Sequence, residues 1–459
     1  MSEDSTRQPV LFEGWFTKPL VAMFDQPLGT SDGGAVLLRG ADDRLDLTTS
    51  MASVLVDRRN PERVQHPLRD VVRQRVVGIA CGYEDGNDAD RLRDDPMHKL
   101  VLDRDPEGGR DLASQPTLSR FENDVTRREV FEMGVALAEC VIERHRTRRR
   151  GRAKRITVDL DGTDDPTHGT QQGALFNGFY GGHCYLPLVA AMQFEQKADQ
   201  YVLTSLLRNG NAHAAHGAIP LLRRILVRLR DAFPKARLRV RLDGGFATPE
   251  IFSFLEEEGV EFVVAPAKNA VLERLAEPLL EEARQASRAS GQSKRRYGHA
   301  PYQARSWPHK RKVAYKAEVT RYPGREARDN PRFIITNISA DPETVYRRIY
   351  AKRGDVENRL KELQEHLAAG RLSCTRFLAN QARLLVHTAA YALYQELRLH
   401  ATGTGLARAY AGTLRERLIK LGAWIKTSTR RIVLHLPRDA PWRREWARVA
   451  SSLQATTTA

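Results

Sequence analysis

Cysteine is scarce in this chain of 459 residues. There are four, Cys81, Cys140, Cys184 and Cys374, far apart and without a C-x-x-C pair. A disulfide framework or a cysteine zinc site is therefore not expected, and a reducing compartment fits. Long apolar runs are also missing. None approaches the ~20 residues that a membrane span needs. The opening Met1-Ser-Glu-Asp-Ser has no basic stretch followed by an apolar one, so a secretory leader is not expected and a cytoplasmic location without membrane is. No internal repeat is visible. His168, His183, His213 and His216 are too scattered to read as a zinc site. What remains is a globular composition, 41% hydrophobic, long enough for roughly two to four structural units.

The shortage that carries most meaning is of acid. Lys and Arg number 73 against 57 Asp and Glu, a net charge of +16. Such an excess points to a polyanionic partner, most simply nucleic acid. It is also clustered. Residues 144–155 carry eight basic residues and no acid. Residues 294–328 carry eleven against Glu318 and Glu326, and 401–459 carry eleven against Glu416, Asp439 and Glu445. Solvated surface is the plain reading of any single run. Three runs read better as an extended phosphate-binding surface, because each phosphate neutralised releases counterions.

Residues 1–150 read as mostly helical after a short irregular start, a candidate DNA-binding region. Leu68, Val71, Val72, Val76 and Ile79 recur at helical spacing within 66–80, and Gly82 ends that helix. Residues 117–145 continue the pattern. Strand signals take over at 155. Ile156, Val158 and Leu160 alternate with Thr157, Asp159 and Asp161. Residues 185–193 and 201–207 give two more strands, 215–232 an amphipathic helix, and 238–243, where Leu238, Val240 and Leu242 alternate with Arg239, Arg241 and Asp243, a fourth strand. Thr248-Pro249-Glu250 opens a helix with Thr as cap, and 260–265 is a fifth strand. The order β-β-β-α-β-α-β, with acids ending the first and fourth strands, is the ribonuclease H-like order. The expected fold class is α/β, with 151–269 as the first part of a ribonuclease H-like core. Residues 270–340 interrupt it as a partly β insertion. Residues 341–400 return as helices, one long helix reaching about 369 and another over 376–399. A basic helical tail, 401–459, has helical spacing at Leu414, Leu418, Leu421 and Trp424.

Three carboxylates stand out. Asp161 ends the first strand, Asp243 ends the fourth, and Glu357 lies on the long helix. The first and fourth strands of a ribonuclease H-like sheet are neighbours, so their acids can converge, with a helix bringing the third. Hard cations such as Mg²⁺ prefer such oxygen ligands, and two ions can activate a water or a 3′-hydroxyl and stabilise the leaving oxygen of a phosphodiester. On the helix, at ~100° per residue, Tyr350, Arg353, Glu357, Lys361 and Gln364 share a polar stripe. Ile349, Val356, Leu360, Leu363 and Leu367 form a separate apolar one. A solvated face with i,i+4 pairs is the plain reading of the polar stripe. Asp159 shares the strand face of Asp161 and competes with it. Asp164 and Asp165 read as loop residues.

Stretches along nearly the whole chain then combine. They are Ser31-Asp-Gly-Gly-Ala-Val-Leu-Leu, Ala80-Cys-Gly-Tyr-Glu-Asp-Gly-Asn-Asp-Ala-Asp, Ala113-Ser-Gln-Pro-Thr-Leu-Ser-Arg-Phe-Glu-Asn, Asp161-Gly-Thr-Asp-Asp-Pro-Thr-His-Gly, Pro266-Ala-Lys-Asn-Ala-Val-Leu and Arg353-Gly-Asp-Val-Glu-Asn-Arg-Leu-Lys-Glu. With these the sequence resembles the DDE transposases of bacterial insertion sequences, most of all the IS1380 family, related to the IS4-type enzymes. The resemblance implies Asp161, Asp243 and Glu357 as catalytic and metal-binding acids, with Mg²⁺ as cofactor and Mn²⁺ as a substitute. It implies double-stranded DNA as partner, both terminal inverted repeats and target, and cut-and-paste transposition at the nucleoid. Because two ends must be joined and each chain has one set of acids, a homodimer on DNA is the expected active form. Tyr350 and Arg353 match a Tyr-x2-Arg-x3-Glu-x6-Lys signature of wider relatives, implying contact with DNA phosphates. Gln364 stands where that signature has Lys, and Lys361 on the same face is the substitute. A hairpin intermediate, used by relatives with a β insertion after the fifth strand, stays open. So do two other readings, a non-catalytic DNA-binding derivative and a stand-alone nuclease.

Overall fold

The computed structural model describes residues 9–12, 17–23, 25–195 and 199–454. The opening Met1-Ser-Glu-Asp-Ser and the end of the basic tail lie outside the described residues. Helices dominate up to residue 149: α1 (Ala35–Leu45), α2 (Leu47–Ser53), α3 (Leu68–Cys81), α4 (Gln115–Asp124) and α5 (Arg127–Arg149). The expected stop of α3 holds, with Gly82 in the left-handed region at φ 95° and its N–H bonded back into the helix. Between α4 and α5 the chain breaks at Val125. There Thr126 and Glu129 form a reciprocal capping box, so the single helical run expected over 117–145 is two helices.

Eight strands follow: β1 (Arg155–Gly162), β2 (Leu188–Phe194), β3 (Gln200–Leu206), β4 (Arg237–Leu242), β5 (Glu261–Val264), β6 (Lys294–Tyr302), β7 (Arg311–Thr320) and β8 (Arg332–Thr336). With the short Arg328–Asp329 segment they form one nine-stranded mixed sheet, in the order β6-β7-β8-β5-β4-β1-β2-β3. β1, β4 and β5 are parallel, while β2 and β3 run antiparallel. The first and fourth strands are thus neighbours, as expected from the sequence. The expected insertion does not stand apart from this sheet. β8 pairs antiparallel with β5, and β7 and β6 continue outward. The basic run at 294–302 is strand β6, which finds a full antiparallel partner in β7.

Helices α6 (Ala218–Ala232), α7 (Pro249–Glu257), α8 (Ala270–Ser290), α9 (Gly354–Lys361), α10 (Phe377–His400) and α11 (Arg443–Gln454) complete the set used below. Thr248 caps α7 through the Ile251 N–H, with Pro249 at the first position, as its sequence signalled. α10 is buried nearly all round and closes the sheet. β3 is the edge strand, and an open edge invites pairing with another chain. Two glutamines of α10 serve as its partner. Gln395 accepts from the Val202 N–H (2.9 Å) and donates to the Gln200 carbonyl (2.9 Å). Gln381 does the same with Leu207 N–H (2.5 Å) and the Ser205 carbonyl (3.2 Å). The N-terminal helices pack on α10, and one buried apolar cluster runs from Ala35 to Val449. Residues on both sides of positions 150 and 400 belong to that one cluster.

The tail departs from its expected helix. A helical stretch ends at Ile419, and Ala423–Ser428 forms a hairpin with Arg431–His435. The hairpin pairs with Gly29–Thr30. Trp424, read as helical, lies on a strand. The reason is tertiary: the Gly33 and Gly34 N–H groups donate to the Leu421 and Ile419 carbonyls (2.9 and 3.1 Å), which ends the helix against the N-terminal loop. Among the described residues no helix is long and apolar enough to cross a membrane.

Candidate active site

Asp161 lies near the C-terminal end of β1 and Asp243 just past the end of β4. The alternation of β1 sends Asp159 and Asp161 to one face, but their surroundings differ. Asp159 is fully buried, and its cross-strand neighbour is Arg241. Arg241 donates to both Asp159 oxygens (2.5 and 2.7 Å), and Gln200 adds a bond to Asp159 Oδ2 (2.9 Å). A third bond runs from Arg241 Nη1 to the Ile349 carbonyl (2.8 Å). Asp159 is thus half of a core ion pair that fastens the two strands to the segment carrying Glu357.

That segment is not the uninterrupted α-helix expected over 341–369. A wide turn at Thr344–Ile349 passes into a tight one at Tyr350–Arg353, then α9, then a second wide turn at Glu362–His366. The break coincides with the Ile349 carbonyl, which Arg241 takes from the next helical turn. Sequence periodicity could not have shown this, since the competing donor lies on β4.

The three acids meet at one guanidinium. Arg353 Nη1 is 3.1 Å from Asp161 Oδ2 and 3.9 Å from Asp243 Oδ2, and Nη2 is 2.7 Å from Glu357 Oε1. Asp161 is the most buried of the three. Burial pushes its carboxyl up to about 6, against the pull of Arg353 and with the added repulsion of Asp243 and Glu357. Asp243 is held by its own turn, its Oδ1 accepting from the Gly245 N–H (2.9 Å). Gly245 is required there: a Cβ would lie 2.6 Å from that of Ala214.

Tyr350 is half-buried beside Arg353, its hydroxyl pushed up by burial and held in check by that cation. Lys361, one turn beyond Glu357, is exposed. Gln364 points elsewhere, donating to Thr163 Oγ1 and the Asp164 carbonyl (both 3.0 Å). It braces the loop that leaves β1. Asp165, read as a loop residue, is buried in a short strand, and burial with nearby Asp164 pushes its carboxyl up to about 8. Of the weak histidine candidates, none joins a metal-holding group among the described residues. Such a group does exist at Asp32, Cys81 and His98, but Asp32 is already engaged by His98 (3.0 Å) and Lys420 (2.7 Å).

Sequence counting missed Arg241 and Arg208. Both are buried basic residues, and Arg208 donates to the Leu186 carbonyl (2.8 Å) near Gly162. The charge clusters also contain internal pairs. Arg144, Arg149 and Arg155 pair with Glu396, Glu195 and Glu261. Arg311 binds Glu256 and lies against Phe252 and Trp307, and Lys316 binds Glu318.

The fit to divalent metal can be judged from the donors. Three hard carboxylates from three elements converge on a place that already accommodates a cation, the Arg353 guanidinium. Among the described residues they are not gathered tightly enough to count as a single metal-holding group, and Arg353 lies between them. Carboxylate oxygens suit Mg²⁺ or Mn²⁺.

No curated protein matches the sequence. Among solved structures, the cryo-EM structure of a piggyBac transposase synaptic complex with hairpin DNA is similar over 84% of this chain and 80% of that chain, at 11% identity and a TM-score of 0.37. A family model described as transposase DDE domain group 1 matches residues 12–458. With a match of that extent, the chain belongs to the transposase DDE domain family, group 1, and is a DDE transposase.

Proposed function

We propose that this chain is the transposase of an insertion sequence of the IS1380 type, with a ribonuclease H-like core, acting on DNA at the bacterial nucleoid. It binds the terminal inverted repeats of its element, cuts them, and joins the freed 3′-hydroxyl ends to target DNA. The observation that carries this reading is the contact of one guanidinium, Arg353, with carboxylates from β1, the end of β4 and α9.

Asp161, Asp243 and Glu357 would hold Mg²⁺, with Mn²⁺ as a substitute. When bound, such ions supply an activated water or 3′-hydroxyl and stabilise the leaving oxygen of the phosphodiester. Burial pushes the Asp161 carboxyl up to about 6, so this acid would be ionised above that pH. With the acids so engaged, Arg353 would be free to contact a DNA phosphate, together with Tyr350 and Lys361. Gln364 holds the loop after β1 in place and takes no phosphate. The Asp159–Arg241 pair fixes the Ile349 carbonyl and hence the turn that presents Arg353.

Each chain carries one set of acids, and two ends must be cut and joined together. The active form is therefore a homodimer on DNA. Free chains with net charge +16 repel one another until DNA neutralises them.

The test uses duplex DNA taken from either side of the coding region, with Mg²⁺ or EDTA. Mg²⁺-dependent nicking at the repeat ends, followed by joining to a plasmid, is expected. Binding without cutting would leave a DNA-binding derivative, and cutting without end preference or joining would leave a nuclease. Mixing a Glu357→Ala chain with a chain unable to bind ends tests the dimer; restored cleavage shows action in trans.

A further inference from the structure

A short three-stranded sheet stands beside the acids. Its strands are Asp165–Pro166, Gly182–Tyr185 and Leu175–Asn177, with Gly182–Tyr185 in the middle. It begins four residues after Asp161. The tip of its hairpin, residues 178–181, carries Phe179 and Tyr180. Phe179 is 89% exposed, more than any other large apolar side chain among the described residues. Tyr180 is 42% exposed, and the two rings meet edge to face with centroids 4.9 Å apart. Phe176, 58% exposed, extends the aromatic surface and packs edge-on against His183.

This exposure is built into the turn. Asn177 Oδ1 accepts from the Phe179 and Tyr180 N–H groups (2.9 and 3.3 Å). The Asn177 amide donates to the Gly210 carbonyl (2.7 Å), tying the tip to the loop after β3. Gly181, at φ 71°, donates its N–H to the Asn177 carbonyl (2.8 Å) and closes the turn. Added Cβ atoms at Gly178, Gly181 and Gly182 would meet nothing within 4 Å, so the backbone of the turn stands in open space. The tip also lies within electrostatic reach of the site. The Tyr180 hydroxyl is pushed up by burial first and then by the negative charges of Asp164, Asp161 and Asp243. Burial lowers the Arg208 guanidinium, with the charges of Tyr180 and Asp243 pulling the other way, and Arg208 donates to the Leu186 carbonyl beside this sheet (2.8 Å).

We propose that Phe179 and Tyr180 form a stacking subsite for one unpaired nucleobase next to the phosphodiester that the three acids attack. The inference rests on the reading of the chain as a transposase. Bases inside a duplex hide their flat faces, and bringing one strand's phosphate deep into a carboxylate site draws that strand from its complement. The displaced base then needs an apolar face, and an aromatic ring serves any base. Two rings at a right angle give a floor and a wall. Apart from the Tyr180 hydroxyl, neither ring brings a polar group, so the subsite is sequence-tolerant.

The experiment compares Phe179→Ala, Tyr180→Ala and Phe179→Trp full-length chains with the unaltered protein. The probes are two duplexes from the DNA flanking the coding region: one fully paired, one abasic at the nucleotide beside the mapped cut. Loss of one base–aromatic stack corresponds to roughly 5- to 150-fold. The Ala variants should cut the paired duplex slower by that factor and the abasic duplex at nearly the unaltered rate, with unchanged melting temperature. Phe179→Trp should cut both. Equal cutting of the paired duplex by all chains overturns the proposal and leaves the transposase reading intact. So does an equal loss on both duplexes, or a loss that follows a change in oligomeric state, which would make the tip a contact between chains. Failure of the unaltered protein to cut either duplex sinks the parent reading along with this one.

Discussion

Asp159 and Asp161 stand two residues apart on one strand face, and changing each to Asn separates a core ion pair from a site carboxylate. Asp159 is fully buried and bonded twice to Arg241, itself 2% exposed. Asp159→Asn leaves a buried guanidinium without its counter-charge, which costs about 3–5 kcal/mol. That is a large part of the ~5–15 kcal/mol that holds a typical protein folded. Asp161→Asn has the opposite sign. The Asp161 carboxyl is pushed up to about 6 in the folded chain, mainly by burial, against 3.8 as the ordinary value. The folded state thus holds that proton more tightly than the unfolded state. The resulting penalty is absent below pH ~4, grows as pH rises, and is complete above pH ~6, at about 3 kcal/mol. An Asn does not ionise, so Asp161→Asn should gain up to that amount at pH 7.5 without metal and almost nothing at pH 4. Urea unfolding followed by circular dichroism, in EDTA at both pH values, reads the two effects. A nicking assay with Mg²⁺ at low temperature reads the chemistry. Asp161→Asn should be stable and inactive, and Asp159→Asn unstable with residual activity in its folded fraction. An Asp159→Asn chain as stable as the unaltered one, or an Asp161→Asn chain that still cuts, would refute the division of roles.

Asp165 offers a second pH test. Its carboxyl is pushed up to about 8 and its Oδ2 has no hydrogen-bond partner, so stability is lost as pH rises from about 4 through 8; Asp165→Asn should flatten that fall in a pH series of melts. Mg²⁺ should raise the melting temperature of the unaltered chain, and Asp243→Asn and Glu357→Gln should each shrink the rise; an undiminished rise in both would place the metal elsewhere. A Cβ at Gly34 would lie 1.8 Å from the Leu418 carbonyl oxygen; Gly34→Ala should cost about 1–3 kcal/mol and loosen the tail, read by earlier proteolysis after residue 420. In the 294–328 run, neutralising the exposed Arg305, Lys310, Arg325 and Arg328 should lower the salt slope of DNA binding by about one unit per phosphate contact. Changing Arg311 or Lys316 should lower stability instead, and an unchanged salt slope would remove the segment from the DNA interface.

Local patterns were enough for much of this molecule. Alternation along Ile156–Asp161 and Leu238–Leu242, the Thr248-Pro249 helix start and the Gly82 stop are governed by neighbours in the chain, and each forms where its residues say. The same local order placed Asp161 and Asp243 at the ends of adjacent strands. What the sequence could not decide depends on groups far apart in the chain. Asp159 and Asp161 look alike in a strand pattern; only the register that sets Arg241 beside Asp159 makes one a structural ion and leaves the other to the candidate site. The helix carrying Glu357 has the right period, yet Arg241 on β4 pulls the Ile349 carbonyl and breaks it. Trp424 has helical spacing, yet two glycine N–H groups near residue 33 end that helix, and the Gly29–Thr30 edge recruits a strand. Basic clusters counted as surface hold Arg311 and Lys316, which partner acids in the fold. Charge and period are properties of a segment, whereas a carboxylate's role is set by the side chain that the fold brings opposite it.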